Sequence, residues 1–423
     1  MFPGGQSRIR DADLHRLTER RTAFCMNPDV LIVGGGIGGT MLAALLSRGG
    51  KRVLIIERAK GPPAFLRPEI LWPQAVDTLF SLESREFWER ECVRPAGGIV
   101  LDNSGKLTPV VTPELFGRAG VLPFFENPNA TRETLLGICG AEVRRGIEVL
   151  AVLRDGARVR GVRARDLATG AEMEIEAAIT IGDDGAESRV RAGCGIAMEL
   201  RAFPMEFITR GVSWPSAWPV DVVRIFLPRR RLPGGMLALA VFPLRGGKAA
   251  CLSPVVTGSV DEALAADFAE LLAGAAEVPE ELRAVDFPRS FTRIGRKWGH
   301  APRYGCDGAV LLGDAIHPVS PAGGQGANMA IADAVALARI LLAGAPDPAA
   351  ALERERRAAN ERGVQPTRLT SRFFRLSRIP LLGSLPGLLI PLVLRSDAMR
   401  IRALRRLAGW QENAAWCLPR LTV

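Results

Sequence analysis

Two glycine-rich segments at opposite ends of this chain, each fed by a short apolar run, restrict its fold more than any other feature. Near the start, Val30-Leu31-Ile32-Val33 runs into Gly34-Gly35-Gly36-Ile37-Gly38-Gly39. Far downstream, Val310-Leu311-Leu312 runs into Gly313-Asp314-Ala315-Ile316-His317-Pro318 and on to Gly323-Gly324-Gln325-Gly326-Ala327-Asn328. Short apolar runs without alternation read as strands buried on both faces of a parallel sheet. Gly34, Gly36 and Gly39 fill the G-x-G-x-x-G pattern of a tight turn, a close backbone approach to a diphosphate and a close helix–strand contact. Thr40 to Ser47 continues as an apolar helix whose positive N-terminal end faces the phosphates. Val53 to Ile56 is a second strand, closed by Glu57 where a ribose-binding carboxylate belongs and a 2′-phosphate is repelled. The backbone of Gly34, Gly36, Ile37, Gly38 and Gly39, together with Glu57 and Arg58, forms the candidate site for an adenine dinucleotide.

That unit alone does not separate FAD from NAD. The downstream segment adds a carboxylate, Asp314, at the C-terminal end of a strand, where ligands gather in open α/β sheets. Gly324 and Gly326 permit backbone conformations and approaches that a side chain would block. From Ala327 the pattern turns helical, and the N-terminal dipole of that helix favours negative charge. A reduced isoalloxazine carries such charge around N1 and the C2 carbonyl. A ligand held along its length by both segments is most economically FAD.

The downstream segment resembles the "GD" motif of class A flavoprotein monooxygenases, the para-hydroxybenzoate hydroxylase-like family, including G-G-Q-G-x-N and the helical Asp333-Ala334. The chain is similar, too, to ubiquinone-biosynthesis hydroxylases and squalene epoxidase. Ile179-Thr180-Ile181-Gly182-Asp183-Asp184-Gly185, followed by Ser188 and Arg191, resembles the family's "DG" motif, with Asp184 on its aspartate. The resemblance implies that Asp314 binds the ribityl chain and that Gly324, Gly326, Ala327 and Asn328 hold the pyrimidine edge of the flavin. Pro321 lies, by the same likeness, beside the reactive face of the ring and is the candidate catalytic position. Arg132, in Ala130-Thr131-Arg132-Glu133, and Arg67, in Leu66-Arg67-Pro68-Glu69, fall where the family places arginines that reach FAD.

The implied fold is α/β, a Rossmann-like FAD-binding domain with an inserted mixed-β-sheet substrate domain and C-terminal helices. The FAD-binding domain comprises residues 26–95, 128–190 and 301–345, and the substrate domain 96–127 and 196–300. Residues 346–423 form a C-terminal helical region, apolar and basic, and residues 1–25 a disordered extension. Within these limits, 71–87 and 128–145 read as helices, Gly97 to Thr112 as a strand pair, Val260 to Leu272 as a helix, and Ile147 to Ile181 as a meander.

Composition removes other classes. The net charge is +10 in 423 residues, yet no basic run is interleaved with aromatics, which argues against a nucleic-acid partner. Seven scattered cysteines and three histidines show no metal-ligand spacing, so no metal site is expected and the cysteines read as reduced packing residues of a cytoplasmic protein. Ile379 to Leu394 is sixteen uncharged residues flanked by arginines and broken by prolines, shorter than the roughly twenty a membrane span requires. It reads as a cap over the substrate pocket or as a peripheral contact with the inner face of an anionic membrane.

The expected activity is that of a monooxygenase using FAD, NAD(P)H and O2, with oxygen transfer through a flavin C4a-hydroperoxide. The substrate is a small lipophilic aromatic, quinolone-like or isoprenoid compound, hydroxylated or epoxidised. No side chain stands out as a general base, since the single tyrosine, Tyr304, precedes the GD strand rather than lying in the substrate sheet. An alkene reductase of the geranylgeranyl-reductase type and a non-catalytic flavin-binding protein are the rival readings.

Overall fold

Apolar runs that lie far apart in the chain meet in one sheet. The computed structural model describes residues 28–62, 68–91, 93–95, 97–103, 106–119, 124–126, 128–226, 239–244, 247–256, 280–283, 285, 291–321, 324–376 and 396–407. The strand Val30–Val33 lies between Ile179–Gly182 and Val53–Glu57, parallel to both. Ala309–Leu311 adds parallel to Ile179–Gly182, and Glu142–Arg145 adds parallel to Val53–Glu57. The hairpin strand Gly305–Cys306 closes the far edge antiparallel. Leu31, Ile32, Leu54 and Ile55 are fully buried at the centre. Each contributes about 1.5–3 kcal/mol of apolar burial, which is why these runs carry no polar alternation.

Two helices cover this sheet. Ile37–Arg48 is buried along most of its length, and Gly326–Leu342 packs on it. Their contact is set by Gly38, where an added Cβ would lie 3.1 Å from Leu312 and 3.2 Å from Ala330. A three-stranded meander, Ile147–Asp155, Arg158–Asp166 and Glu172–Glu176, leads back into the central sheet at Ile179.

A second, mixed sheet of seven strands is built from two separate stretches of chain. In spatial order it runs Thr292–Trp298, Arg201–Ser213, Lys248–Val256, Leu239–Pro243, Val222–Phe226, Gly98–Asn103 and Lys106–Val111. All neighbours are antiparallel except Val222–Phe226 and Gly98–Asn103, which join the two stretches in parallel. The fold is therefore α/β, with the dinucleotide sheet and the inserted mixed sheet as its two principal layers of strands.

Three local expectations need correction. The stretch 71–87 is two helices, Pro73–Leu82 and Arg85–Glu91, separated at Glu83-Ser84, and Ser84 Oγ accepts the Phe87 N–H at 3.2 Å at the second helix start. The helix beginning at Pro128 ends at Ile138, and Glu142–Arg145 is a strand. Gly140, at φ +69°, turns the chain between them in the left-handed region that favours glycine. The first helix and the GD helix each start earlier than the apolar pattern, at Ile37 and Gly326, because glycines carry no hydrophobic signal. The helix expected at Val260 to Leu272, the apolar segment Ile379 to Leu394 and residues 1–25 lie outside the described residues.

Candidate active site

Sheet register places three distant motifs side by side. Val33 pairs with Gly182 and with Ile56, and Gly182 pairs with Leu311. Gly34, Asp183 and Leu312 to Asp314 thus leave the sheet together at its carboxyl edge, beside Glu57 at the end of its strand, and this is the ligand edge of an open parallel sheet.

Gly34 has φ +100°, and a Cβ there would fall 2.3 Å from the carbonyl oxygen of Asp183. Gly36 precedes the first helix in extended conformation, and that helix start has no side-chain cap from Gly36 and no acidic residue in its first turn. Gly34, Gly36 and Ile37 remain partly exposed while Gly38 and Gly39 are buried. The open surface thus carries the helix N-terminus expected to face a diphosphate. Glu57 accepts the Gly35 N–H through Oε2 and the Ala59 N–H through Oε1, both at 2.7 Å. A carboxylate has about four acceptor positions, so two remain for ribose hydroxyls. Arg58 is exposed. Arg67 lies outside the described residues.

The sequence motif points to Asp184, but the carboxylate wedged into the glycine turn belongs to Asp183. Its Oδ2 accepts the Gly39 N–H at 2.8 Å and lies 2.4 Å from where a Cβ on Gly36 would sit. Asp183 thereby caps the dinucleotide helix from the neighbouring strand. Enclosure by protein pushes its pKa well above the usual carboxylate range, aided by the charges of Asp314, Asp184 and Glu57 and opposed by the Gly39 N–H. Asp184 turns away to the short helix Arg189–Gly193, where its Oδ2 accepts from Arg189 N at 2.7 Å and Val190 N at 3.1 Å. Arg191 donates to the carbonyls of Ala315, at 2.9 Å, and Ala186, at 2.7 Å, tying the DG segment to the GD segment.

Asp183→Asn keeps the cap without the ionisation. A group whose folded pKa is raised contributes stability below its unfolded pKa and loses it as pH rises toward the folded value. The unfolding free energy of the native protein, minus that of Asp183→Asn, is therefore expected to fall as pH rises from about 4. Paired denaturant titrations across pH read this difference, and a flat line would remove the raised pKa from the account.

On the GD side, Asp314 sits partly exposed in the 3-10 turn Gly313–Ala315. Pro321 is also partly exposed. Gly324, Gly326, Ala327 and Asn328 are partly exposed at the start of the helix Gly326–Leu342, whose first turn carries no acid. The Asn328 side chain is committed to building this loop: Oδ1 accepts the Trp72 N–H at 2.7 Å, and Nδ2 donates to Gly324 O at 2.6 Å and Ile70 O at 2.8 Å. Arg132 lies on the helix Pro128–Ile138 with its Nη2 3.2 Å from Glu133 Oε1, while its Nε is enclosed without a hydrogen-bond partner. Arg145, whose backbone pairs with Glu57, likewise has an enclosed Nη1 without a partner. Reading 128–145 as one helix concealed Arg145 from the sequence argument. Enclosed guanidinium donors left unmet are costly, and an anionic ligand satisfies them.

Behind the GD segment lies a polar cluster that the motifs do not announce. His317 Nε2 is 2.5 Å from Asp333 Oδ2, Arg356 Nε donates to Asp333 Oδ1 at 2.7 Å, and Asn360 Nδ2 donates to both oxygens. Asn360 also donates to Tyr304 Oη, which is 2.8 Å from His300 Nε2. Burial, together with the neighbouring His317, lowers the His300 pKa to about 4, and burial raises that of Tyr304. Both side chains are thereby held in their neutral forms near pH 7.

Residues 27–358 match the family of the FAD binding domain. The chain belongs to that family. It is 31% identical over 326 residues to 6-methylpretetramide 4-monooxygenase of Streptomyces rimosus, with 75% of each chain covered. It is 30% identical over 318 residues to a rifampicin monooxygenase of Streptomyces venezuelae, covering 72% of this chain and 62% of that protein. The chain thus spans less than two thirds of the second relative. Among solved structures it is similar to P. aeruginosa PqsL in complex with 2-aminobenzoylacetate, at TM-score 0.67 and 25% identity, covering 82% of this chain and 96% of that one. The chain is an FAD-dependent monooxygenase, and the glycine turn, the two open helix starts and the unmet arginine donors are features that fit the cofactor.

Proposed function

We propose that this flavoprotein hydroxylates a lipophilic, electron-rich aromatic compound, with NAD(P)H and O2 as co-substrates. The observation that carries the substrate class is an apolar layer running from the cofactor loop to the mixed sheet. Trp72, whose backbone is held by Asn328, packs in one cluster with Val111, Phe116 and Val223, against Ile99, Ile225 and Phe242. The helix Asp397–Leu407 adds Leu404 to the same cluster. A substrate bound against such a layer would be shielded from water and would be an apolar ring system. The relatives' names, referring to a pretetramide and rifampicin, agree with a large ring-containing substrate.

Bound FAD supplies the redox chemistry, taking electrons from NAD(P)H and activating O2. The chain's own residues bind, orient and shield. In this reading the first-turn amides at Ile37 and Gly38, with Arg132 and Arg145, hold the diphosphate. Glu57 holds the ribose, Asp314 the ribityl chain, and the amides at Gly326 to Asn328 the pyrimidine edge. Pro321 shapes the reactive face. No side-chain base is required, because the substrate itself is electron-rich. Among the described residues no helix is long and apolar enough to cross a membrane. Contact with an anionic membrane surface through 379–394 is the part of the proposal that rests on sequence alone.

Oxygen-electrode assays with NADH or NADPH test this reading. Polycyclic and bicyclic phenols are expected to stimulate O2 uptake matched one-to-one by NAD(P)H loss and product. Stimulation only by small charged acids would sink the substrate class. Arg132→Ala is expected to weaken FAD binding about tenfold or more, the loss of one charge-assisted hydrogen bond, while apoprotein stability changes by less than about 1 kcal/mol. Fluorescence titration of apoprotein with FAD measures the first and urea unfolding the second.

A further inference from the structure

Two cysteines that the sequence scatters are brought face to face. Cys194 caps the C-terminal end of the helix Arg189–Gly193 that follows the DG motif, and Cys306 lies on the edge strand Gly305–Cys306 leading into the GD segment. Their Sγ atoms are 2.7 Å apart across 112 residues of chain. Cys194 is 5% exposed, whereas Cys306 is partly exposed. Arg154 donates to Gly193 O at 2.6 Å and so places a guanidinium beside the pair. The thiol of Cys194 and the charges of Arg154 and Arg303 hold Cys306 below the usual thiol range, while the shared hydrogen bond and burial push Cys194 up. One sulfur is thus partly exposed at a cationic spot, and the other is buried in contact with it, the arrangement of an attacking and a resolving cysteine.

We propose that Cys306 and Cys194 form a peroxide-reactive dithiol that closes to a disulfide joining the DG and GD segments. The oxidant is hydrogen peroxide, the two-electron reduction product of O2. The Cys306 thiolate attacks one peroxide oxygen; the S–O bond forms as the O–O bond breaks, and the departing hydroxide takes a proton to become water. Cys194 then gives up its proton and attacks the sulfenic sulfur. The S–S bond forms, the S–O bond breaks, and a second water leaves. Two thiols lose two electrons and two protons, and one peroxide becomes two waters.

The test uses the full reduced holoprotein treated with stoichiometric hydrogen peroxide, then alkylated, digested and mapped by mass spectrometry. A Cys194–Cys306 cross-linked peptide is expected, reversible by dithiothreitol, with Cys139 and Cys251 still alkylated after unfolding. Cys194→Ala is expected to stop at a dimedone-reactive sulfenic acid on Cys306, and Cys306→Ala to leave Cys194 as a thiol. Oxidation is expected to raise the melting temperature of the native protein and not that of Cys306→Ala, because the bond closes a long loop. Recovery of both cysteines as free thiols, or oxidation of Cys194 without Cys306, would overturn the proposal. Peroxide is added rather than generated, so failure here leaves the monooxygenase reading untouched.

Discussion

Gly34→Ala is expected to leave the protein unable to retain FAD. At φ +100° an L-residue costs roughly 1–3 kcal/mol of backbone strain. The added Cβ meets the Asp183 carbonyl oxygen at 2.3 Å and its carbon at 2.8 Å, and both are backbone atoms. That backbone cannot simply withdraw, because the Asp183 N–H donates to Val33 O at 2.9 Å and the two strands are paired along their length. The turn must open, moving the helix start and the Gly34 to Ile37 backbone that faces the cofactor. FAD affinity is expected to fall at least about 100-fold, near 3 kcal/mol, with a further loss of roughly 2–4 kcal/mol in fold stability. Gly137→Ala, on the helix Pro128–Ile138, is the control: an added Cβ there meets nothing within 4 Å. Flavin absorbance retained after gel filtration separates the two variants. Equal retention would mean that the turn is not the cofactor's cradle.

The second large effect is expected away from the cofactor, at Asp333. Its carboxylate is fully buried and ion-paired to Arg356, itself nearly buried. Burial alone would raise its pKa, but His317 and Arg356 hold it down to about 2. Asp333→Ala strands the Arg356 charge and is expected to cost about 3–5 kcal/mol of stability. Replacing the pair together, Asp333→Leu with Arg356→Met, is expected to recover part of that loss, the remainder being the acceptor that buried His317 and Asn360 still lack. A depressed folded pKa gives stability that is present above the unfolded value near 4 and lost as pH falls toward about 2. The native protein should therefore lose stability relative to the double variant across that window. Chemical denaturation at pH 7 and at pH 3 measures both. A double variant as unstable as Asp333→Ala would mean that volume, not charge, holds this site.

The contrast between these two positions shows what a sequence displays. Gly34 was legible because only glycine meets the steric demand and because the apolar run before it and Glu57 after it have fixed spacing. The same holds for the GD turn, where Asp314 stands between an apolar strand and a glycine loop. Asp333 carried a signal too, a lone acid in the apolar run Met329 to Leu342, which implies a buried counter-ion. Its partners, His317 and Arg356, come from the GD loop and from the helix Pro348–Leu376, and no spacing rule connects them. Asp183 was hidden by its neighbour. The motif assigns Asp184, and only the register of Ile179–Gly182 against Val30–Val33 shows which of two adjacent carboxylates enters the turn. Arg145 was missed because Glu142–Arg145 is charged at three of four positions and carries no apolar alternation. Its strand identity comes from pairing with Val53–Glu57. The Cys194–Cys306 contact depends wholly on long-range topology.

The most direct test of the central claim is the fate of molecular oxygen. Purified protein, reconstituted with FAD, is given NAD(P)H, an aromatic substrate found by stimulated O2 uptake, and 18O2, and the product is weighed by mass spectrometry. The account predicts one 18O atom in each product molecule and one NAD(P)H consumed. A product that gains two hydrogens and no label, or NAD(P)H oxidation that yields only peroxide with every substrate, would contradict it.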